Sequence, residues 1–170
     1  MASVSRLGRQ IEEVIAALNS IGARFALIGG LALASHKVIR ATQDVDLLAD
    51  ADTADRVDEA ILRLGHHCLH RNAEVANYLR ADERLDFLFA SRPITRRLLA
   101  DAAEYTTTFG LIRVVSTEGL VNDPRRTQDL EDIRALLRAN RASLDMREIR
   151  EYFRLFEREP LLDGLLNAGN

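Results

Sequence analysis

The fold of this chain is decided between residues 24 and 50, which read RFALIGGLALASHKVIRATQDVDLLAD. Residues 24–28 end in four apolar residues, which predicts a short buried strand, and Gly29-Gly30 follows it. Residues 45–49, apolar except for Asp46, predict a second strand after a polar loop. This stretch therefore predicts two strands that are joined by a glycine turn, a short helix and a loop.

Two acidic residues, Asp44 and Asp46, stand where the second strand begins. Residues two apart in a strand point to the same face, so their carboxylates project together, about 7 Å apart along the chain. Asp86 is a third acid, placed in an otherwise apolar strand over residues 84–90. Like charges on a half-buried surface repel each other, and a divalent cation such as Mg²⁺ would neutralise them. The acids could instead cap strand ends or, for Asp86, pair with an arginine.

Gly29-Gly30 lies between an apolar strand and a helix, where small residues let backbone N–H groups approach an anion. A Gly-Gly pair can also be no more than a turn. The sequence contains neither a P-loop nor the glycine pattern of a dinucleotide-binding fold.

The remaining pattern predicts an α+β fold with a mixed β-sheet flanked by helices. Apolar residues at helical spacing predict helices over residues 4–21, 31–38, 53–64, 127–140 and 144–159. Alternation predicts further strands over residues 75–80, 84–90, 104–108 and 111–115. Asp52 is expected to cap the third of these helices, Pro160 to end the last one, and the histidines of residues 66–70 to lie at a strand edge. We expect one compact unit, with a core over residues 1–115 and a short helical C-terminal region over residues 116–170 packed on it.

Composition narrows the class of protein. Hydrophobic residues make up 47% and charged residues 29% of the chain, as is ordinary for a globular protein. Its apolar runs are too short to cross a bilayer, residues 1–6 lack the pattern of a secretion signal, and the single cysteine, Cys68, cannot form an internal disulfide. We therefore expect a cytoplasmic protein without membrane partners. A net charge of −3 argues against a protein that mainly coats nucleic acid, although residues 125–158 are rich in arginine.

Taken together, the motifs resemble the DNA polymerase β-like nucleotidyltransferase superfamily, and within it the AbiEii-type and related minimal nucleotidyltransferases. The resemblance is carried by LIGGLA at 27–32, RATQDVDLL at 40–48, RLDFL at 84–88 and RTQDLEDI at 126–133. The motif-bearing segments extend over residues 22–138, which is most of the chain.

The resemblance implies a reaction in which a nucleoside monophosphate moves from a nucleoside triphosphate, such as ATP, to a hydroxyl group. It implies two Mg²⁺ ions, with Mn²⁺ as the alternative, held by Asp44, Asp46 and Asp86. In the family's pattern Asp129 borders the active site as a further catalytic residue. Phosphate contacts would come from four residues: Gly29, Gly30, Arg40 and Arg126. The acceptor would be RNA, such as a tRNA 3′ end, as for the toxin of a toxin–antitoxin pair, which also implies an antitoxin protein as partner.

One departure from the family's pattern leaves other functions open. Relatives carry a lysine on a helix that follows residues 116–120, whereas the single lysine here is Lys37. Arg125 or Arg126 could supply the missing positive charge, although a guanidinium fork differs from an ammonium point charge. The alternatives are a small-molecule nucleotidyltransferase of the aminoglycoside-modifying kind, and a pseudo-enzyme or interaction module that retains only the fold.

Overall fold

The computed structural model describes residues 5–36, 44–107, 110–120, 127–155 and 159–167. The helices are α1 (Arg6–Ser20), α2 (Gly29–Ser35), α3 (Ala54–Arg63), α4 (Pro93–Ala100), α5 (Thr117–Leu120), α6 (Thr127–Asn140), α7 (Met146–Leu155) and α8 (Glu159–Asn167). The strands are β1 (Phe25–Ile28), β2 (Asp44–Asp50), β3 (His67–Arg71), β4 (Val75–Arg80), β5 (Glu83–Ala90), β6 (Ala103–Thr107) and β7 (Gly110–Val114).

These strands form one mixed sheet in the order β3-β4-β5-β2-β1-β7-β6. β2 pairs with β5, and β1 with β7, in parallel, whereas the other neighbours are antiparallel. The predicted α+β fold with a mixed, helix-flanked sheet is confirmed. The predicted strands over residues 75–80 and 84–90 form a hairpin whose turn contains Ala81, a residue with φ +53°.

The two faces of the sheet are covered by different groups of residues. On one face, Val14, Ile15 and Leu18 of α1 pack against the inward-facing residues of β2 and β5, among them Leu47 and Phe87. Ser5 is the N-cap of α1, since its hydroxyl accepts a hydrogen bond from the Gly8 backbone N–H at 3.0 Å. On the other face, a smaller apolar cluster is formed by residues of β1, β2, β5 and α4 and by two residues beside β6 and β7: Ala26, Leu48, Ala90, Leu99, Ala102 and Val115.

The C-terminal helices form a third cluster, which also includes a residue from α2. Leu33 packs with Ile133, Leu136, Ile149 and Phe153. The Asn140 side chain of α6 donates a hydrogen bond to the backbone carbonyl of His36, the residue after α2, at 2.9 Å. The C-terminal helices therefore contact the rest of the chain through α2. The boundary between a core over residues 1–115 and a helical region over residues 116–170 stays a prediction.

The start of α3 differs from the sequence prediction. Asp52 does not cap α3: Asp50 caps the 3-10 turn that precedes the helix, since its side chain accepts a hydrogen bond from the Asp52 backbone N–H at 3.2 Å. A 3-10 turn over Ala51–Thr53 follows, and α3 begins only at Ala54. The periodicity of the sequence could not separate a 3-10 turn from the helix that continues it.

The role of Pro160 also differs from the prediction. It lies in the first turn of α8, Glu159–Asn167, a helix that the sequence prediction did not contain. Proline is tolerated there because the N–H groups of a first turn have no partner within the helix. Residues 156–158 lie outside the described residues. None of the described helices is long and apolar enough to cross a membrane.

Candidate active site

Asp46 and Asp86 are direct neighbours in the sheet. They are register partners in the parallel pair of β2 and β5, as are Asp44 and Arg84 two residues earlier on each strand. Register partners point to the same face, and neighbouring strands lie about 4.8 Å apart. This arrangement places Asp44, Asp46 and Asp86 on one face of the sheet, together with the guanidinium group of Arg84.

Gly29 makes room for the side chain of Asp46. β1 and β2 pair so that Ile28 lies opposite Asp46, which brings the next residue of the chain over the Asp46 side chain. A Cβ at position 29 would lie 2.3 Å from Oδ2 of Asp46, closer than such atoms approach in real structures. Gly29 also has φ +64°, a backbone conformation that favours glycine. The glycine predicted to approach an anion thus closely approaches a carboxylate of the same chain.

The Asp86 carboxylate is held by two donors. Nδ2 of Asn77 donates to Oδ1 at 2.8 Å, and Nε of Arg84 donates to Oδ2 at 3.1 Å. Asn77 comes from β4, where it is the register partner of Asp86. Asp86 is about three-quarters buried, with a side chain 23% exposed, whereas the side chain of Arg84 is 51% exposed.

Sequence reasoning anticipated one of these two partners. An arginine beside Asp86 was an expected alternative, and the structure identifies it as Arg84. Asn77 was missed because the predicted strands, residues 75–80 and 84–90, left three residues in the turn. In the structure β5 begins at Glu83, which pairs with Arg80, and this register sets Asn77 beside Asp86.

Three of the predicted site residues cannot be placed at this site. Arg40 and Arg126 lie outside the described residues, as do Lys37 and Arg125. Asp129 belongs to α6, but its side chain lies outside what the structure describes. Gly30 is buried and is the second residue of α2, a helix of seven residues.

The acids do not form a complete metal-binding cage. Within the described ranges, no group of three or more His, Cys, Asp or Glu side chains is arranged to hold an ion. Asp86 instead faces Arg84 and Asn77. Mg²⁺ commonly binds through one or two carboxylates and completes its coordination with substrate phosphates and water. The hard oxygen donors of Asp46 and Asp86, side by side, fit an ion that arrives together with a nucleotide.

The architecture matches that of solved nucleotidyltransferase structures. The antibiotic-resistance factor ANT(2'')-Ia superimposes with a TM-score of 0.67 at 16% identity, over 95% of this chain and 97% of that chain. This is the nucleotidyltransferase fold. A lincosamide antibiotic adenylyltransferase, LnuA, matches with a TM-score of 0.59 at 14% identity, over 78% of this chain and 96% of the other. An antigenic nucleotidyltransferase-like protein from Paracoccidioides brasiliensis matches with a TM-score of 0.52 at 18% identity, over 94% and 92% of the two chains.

Sequence comparison does not narrow the family further. Neither a protein-family model nor a curated protein sequence matches the chain. At identities below 20% the structural likeness establishes the nucleotidyltransferase fold alone. The narrower resemblance to AbiEii-type proteins stays a prediction.

Proposed function

We propose that the chain is a metal-dependent nucleotidyltransferase that moves a nucleoside monophosphate from a nucleoside triphosphate to a hydroxyl acceptor. The observation that carries this proposal is the pairing of Asp46 with Asp86 on neighbouring parallel strands, with Gly29 against the Asp46 side chain. These two carboxylates lie side by side on the central strands of a nucleotidyltransferase fold, and oxygen donors so placed can share a divalent cation.

Each of these residues has a role in the proposed reaction. Asp44, Asp46 and Asp86 would hold Mg²⁺, and Gly29 and Gly30 would lie against the phosphates. Bound there with the nucleotide, Mg²⁺ would neutralise the charge that develops on the phosphate oxygens. Asp86 orients the acceptor hydroxyl and accepts its proton. The hydroxyl oxygen then bonds to the α-phosphorus, while the bond from that phosphorus to the bridging oxygen breaks and pyrophosphate leaves with the electron pair.

Two classes of acceptor are proposed for this reaction. The motif resemblance supports RNA, such as a tRNA 3′ end, with an antitoxin as a further partner. The structural likeness supports a small molecule instead: one structure of ANT(2'')-Ia is a complex with adenylyl-2''-tobramycin, and it matches over 88% of this chain with a TM-score of 0.64. We therefore propose an aminoglycoside-like polyhydroxyl compound as the second acceptor class.

One experiment tests the reaction and separates the acceptors. Each of the four α-labelled nucleoside triphosphates is incubated with the protein, Mg²⁺, and either total RNA or a panel of aminoglycosides and lincosamides. We expect label to move to one acceptor class, and Asp46→Asn to abolish the transfer. If no label moves and the parent protein binds no nucleotide in excess Mg²⁺, the chain is a pseudo-enzyme or interaction module and the proposed function is wrong.

A further inference from the structure

Arg84 holds an unusual position for a surface arginine. It lies between two acids: Asp86, two residues further along β5, and Asp44, its register partner on β2. Its Nε atom donates to Asp86, so a permanent positive charge stands within the acidic group itself. Sequence reasoning sought the cation for the triphosphate at Arg125 or Arg126, far along the chain, and did not consider Arg84 for this role.

The ion pair between Arg84 and Asp86 can break without displacing Asp86. The Arg84 side chain is half exposed, and an ion pair in contact with solvent contributes little. Asp86 does not depend on it for orientation, because Asn77 also donates to Oδ1 at 2.8 Å, the shorter of the two contacts. Arg84 can therefore leave Asp86 without releasing the carboxylate from its place on the sheet.

A cation at Asp86 would displace Arg84. A divalent ion and a guanidinium group compete for the same carboxylate, and they repel each other at close range. An incoming nucleotide brings phosphate oxygens, and the planar guanidinium fork matches a phosphate in a bidentate manner. The exchange keeps Arg84 paired throughout, first with a carboxylate and then with a phosphate.

We propose that Arg84 is a resident counter-ion, which neutralises Asp86 in the free protein and transfers to the β- or γ-phosphate of a bound metal–nucleotide complex. This inference rests on the proposed nucleotidyltransferase function and assigns the phosphate-binding cation of that site.

The exchange predicts opposite effects on two ligands. In Arg84→Gln, Mn²⁺ alone should bind more tightly than to the parent protein, because its competitor for Asp86 is gone. A Mg²⁺ complex of a non-hydrolysable α,β-methylene nucleoside triphosphate should bind about tenfold more weakly or worse, because a charge-assisted contact is lost. The matching nucleoside monophosphate, which lacks the β- and γ-phosphates, should bind the parent protein and the variant equally.

The measurements are electron paramagnetic resonance for Mn²⁺ and calorimetry for the nucleotides. Arg92→Gln is the matched control, since Arg92 also pairs with an acid, Glu74, but lies beyond the opposite end of β5. This control should leave all three affinities unchanged. Arg84→Lys keeps a positive charge and should retain part of the preference for triphosphate over monophosphate.

The outcomes are distinguishable. If Arg84→Gln weakens Mn²⁺ and nucleotide binding together, Arg84 only holds Asp86 in place and the exchange is wrong. If it changes neither, Arg84 has no role in the site, and the proposed function can still stand on the parent protein's nucleotide binding. If the parent protein binds no metal–nucleotide complex, the proposed function fails and the exchange fails with it. Should Arg84→Gln not fold, the same comparison is made with Arg84→Lys, and equal loss of both ligands again contradicts the exchange.

Discussion

Gly22 and Gly29 share the same backbone conformation, φ +64°, but differ in what surrounds them. No atom lies within 4 Å of the place where a Cβ would stand at Gly22, whereas at Gly29 the Asp46 carboxylate occupies that place. The two positions therefore separate the cost of a strained backbone from the cost of displacing Asp46.

We expect Gly29→Ala to disable the site and Gly22→Ala to leave it intact. Gly22→Ala should lower the free energy of unfolding by about 1–2 kcal/mol, because alanine is disfavoured at positive φ. Gly29→Ala should lower it further, because the added Cβ must also displace the Asp46 side chain. Only Gly29→Ala moves the Asp46 carboxylate, and a displacement of about 1 Å at a catalytic group can reduce the rate about 100-fold. Urea denaturation and the nucleotide-transfer assay measure the two effects. Equal activity of the two variants would show that Asp46 tolerates the shift or takes no part in the reaction.

Asp46→Asn should separate function from stability. Asp46 and Asp86 are register partners on neighbouring strands, and asparagine keeps the shape of the aspartate side chain, so Asp46→Asn should change the free energy of unfolding of the metal-free protein by no more than about 1 kcal/mol. Transfer should be abolished, since an amide is a poor ligand for Mg²⁺. Asp86→Asn gives the contrast, because it removes the ion pair with Arg84 and should not stabilise the protein. A loss of several kcal/mol in metal-free Asp46→Asn, measured by denaturation in chelator, would instead identify Asp46 as a structural residue.

At the scale of elements, one buried hydroxyl connects the sheet to α3. Tyr78 of β4 is fully buried, and its hydroxyl donates to Oδ1 of Asp58 at 2.6 Å. Arg71 of β3 reaches the other oxygen of Asp58 at 3.1 Å. Burial, and secondly the hydrogen bond to Asp58, raise the pKa of Tyr78 well above its ordinary value.

This raised pKa predicts a dependence of stability on alkaline pH. Below about pH 10, the ordinary pKa of tyrosine, the folded and unfolded states both keep the proton and the contribution of Tyr78 is complete. Above it, only the unfolded state loses the proton, so stability should fall by about 1.4 kcal/mol per pH unit.

Tyr78→Phe should remove this alkaline slope and cost about 1.5 kcal/mol at pH 7, where only the hydrogen bond is lost. Urea denaturation between pH 7 and pH 11 measures both quantities. Tyr105→Phe is the control, because Tyr105 is 42% exposed. If Tyr78→Phe keeps the slope of the parent protein, another group causes it.

The sequence predicted best those elements in which apolar residues alternate or recur regularly along the element itself. The alternation of Leu85 and Phe87 with Asp86 marks one buried face of β5, and the structure has these two apolar residues 0% and 2% exposed. α8 was missed because proline has two opposite meanings: it ends a helix from within and is accepted in the first turn of one. Only the packing of Leu162 and Leu165 into the C-terminal cluster decides between them.

At the scale of the whole molecule, the sequence predicted which acidic residues belong to the site, but not which residues contact them. The motif spacing predicted that Asp44, Asp46 and Asp86 belong together, and the register of β2 and β5 places them on one face. The choice of Arg84 as the partner of Asp86, and the filling of the space above Gly29 by Asp46, depend on tertiary pairing. Sequence periodicity carries no information on which strands become neighbours.

The parallel pairing of β2 with β5 also determines when, during folding, the protein can first bind a ligand. β1 and β2 can bring Gly29 and Asp46 together early, whereas Asp86 joins them only after residues 51–82 have looped out and returned in the same direction. Closing such a loop is entropically costly, and pairings between distant segments form slowly. A half-folded chain would therefore carry one part of the site without the other and have little affinity for a metal–nucleotide complex. The ligand would bind almost entirely to the completed sheet, so it would retard unfolding without guiding the chain towards the folded state.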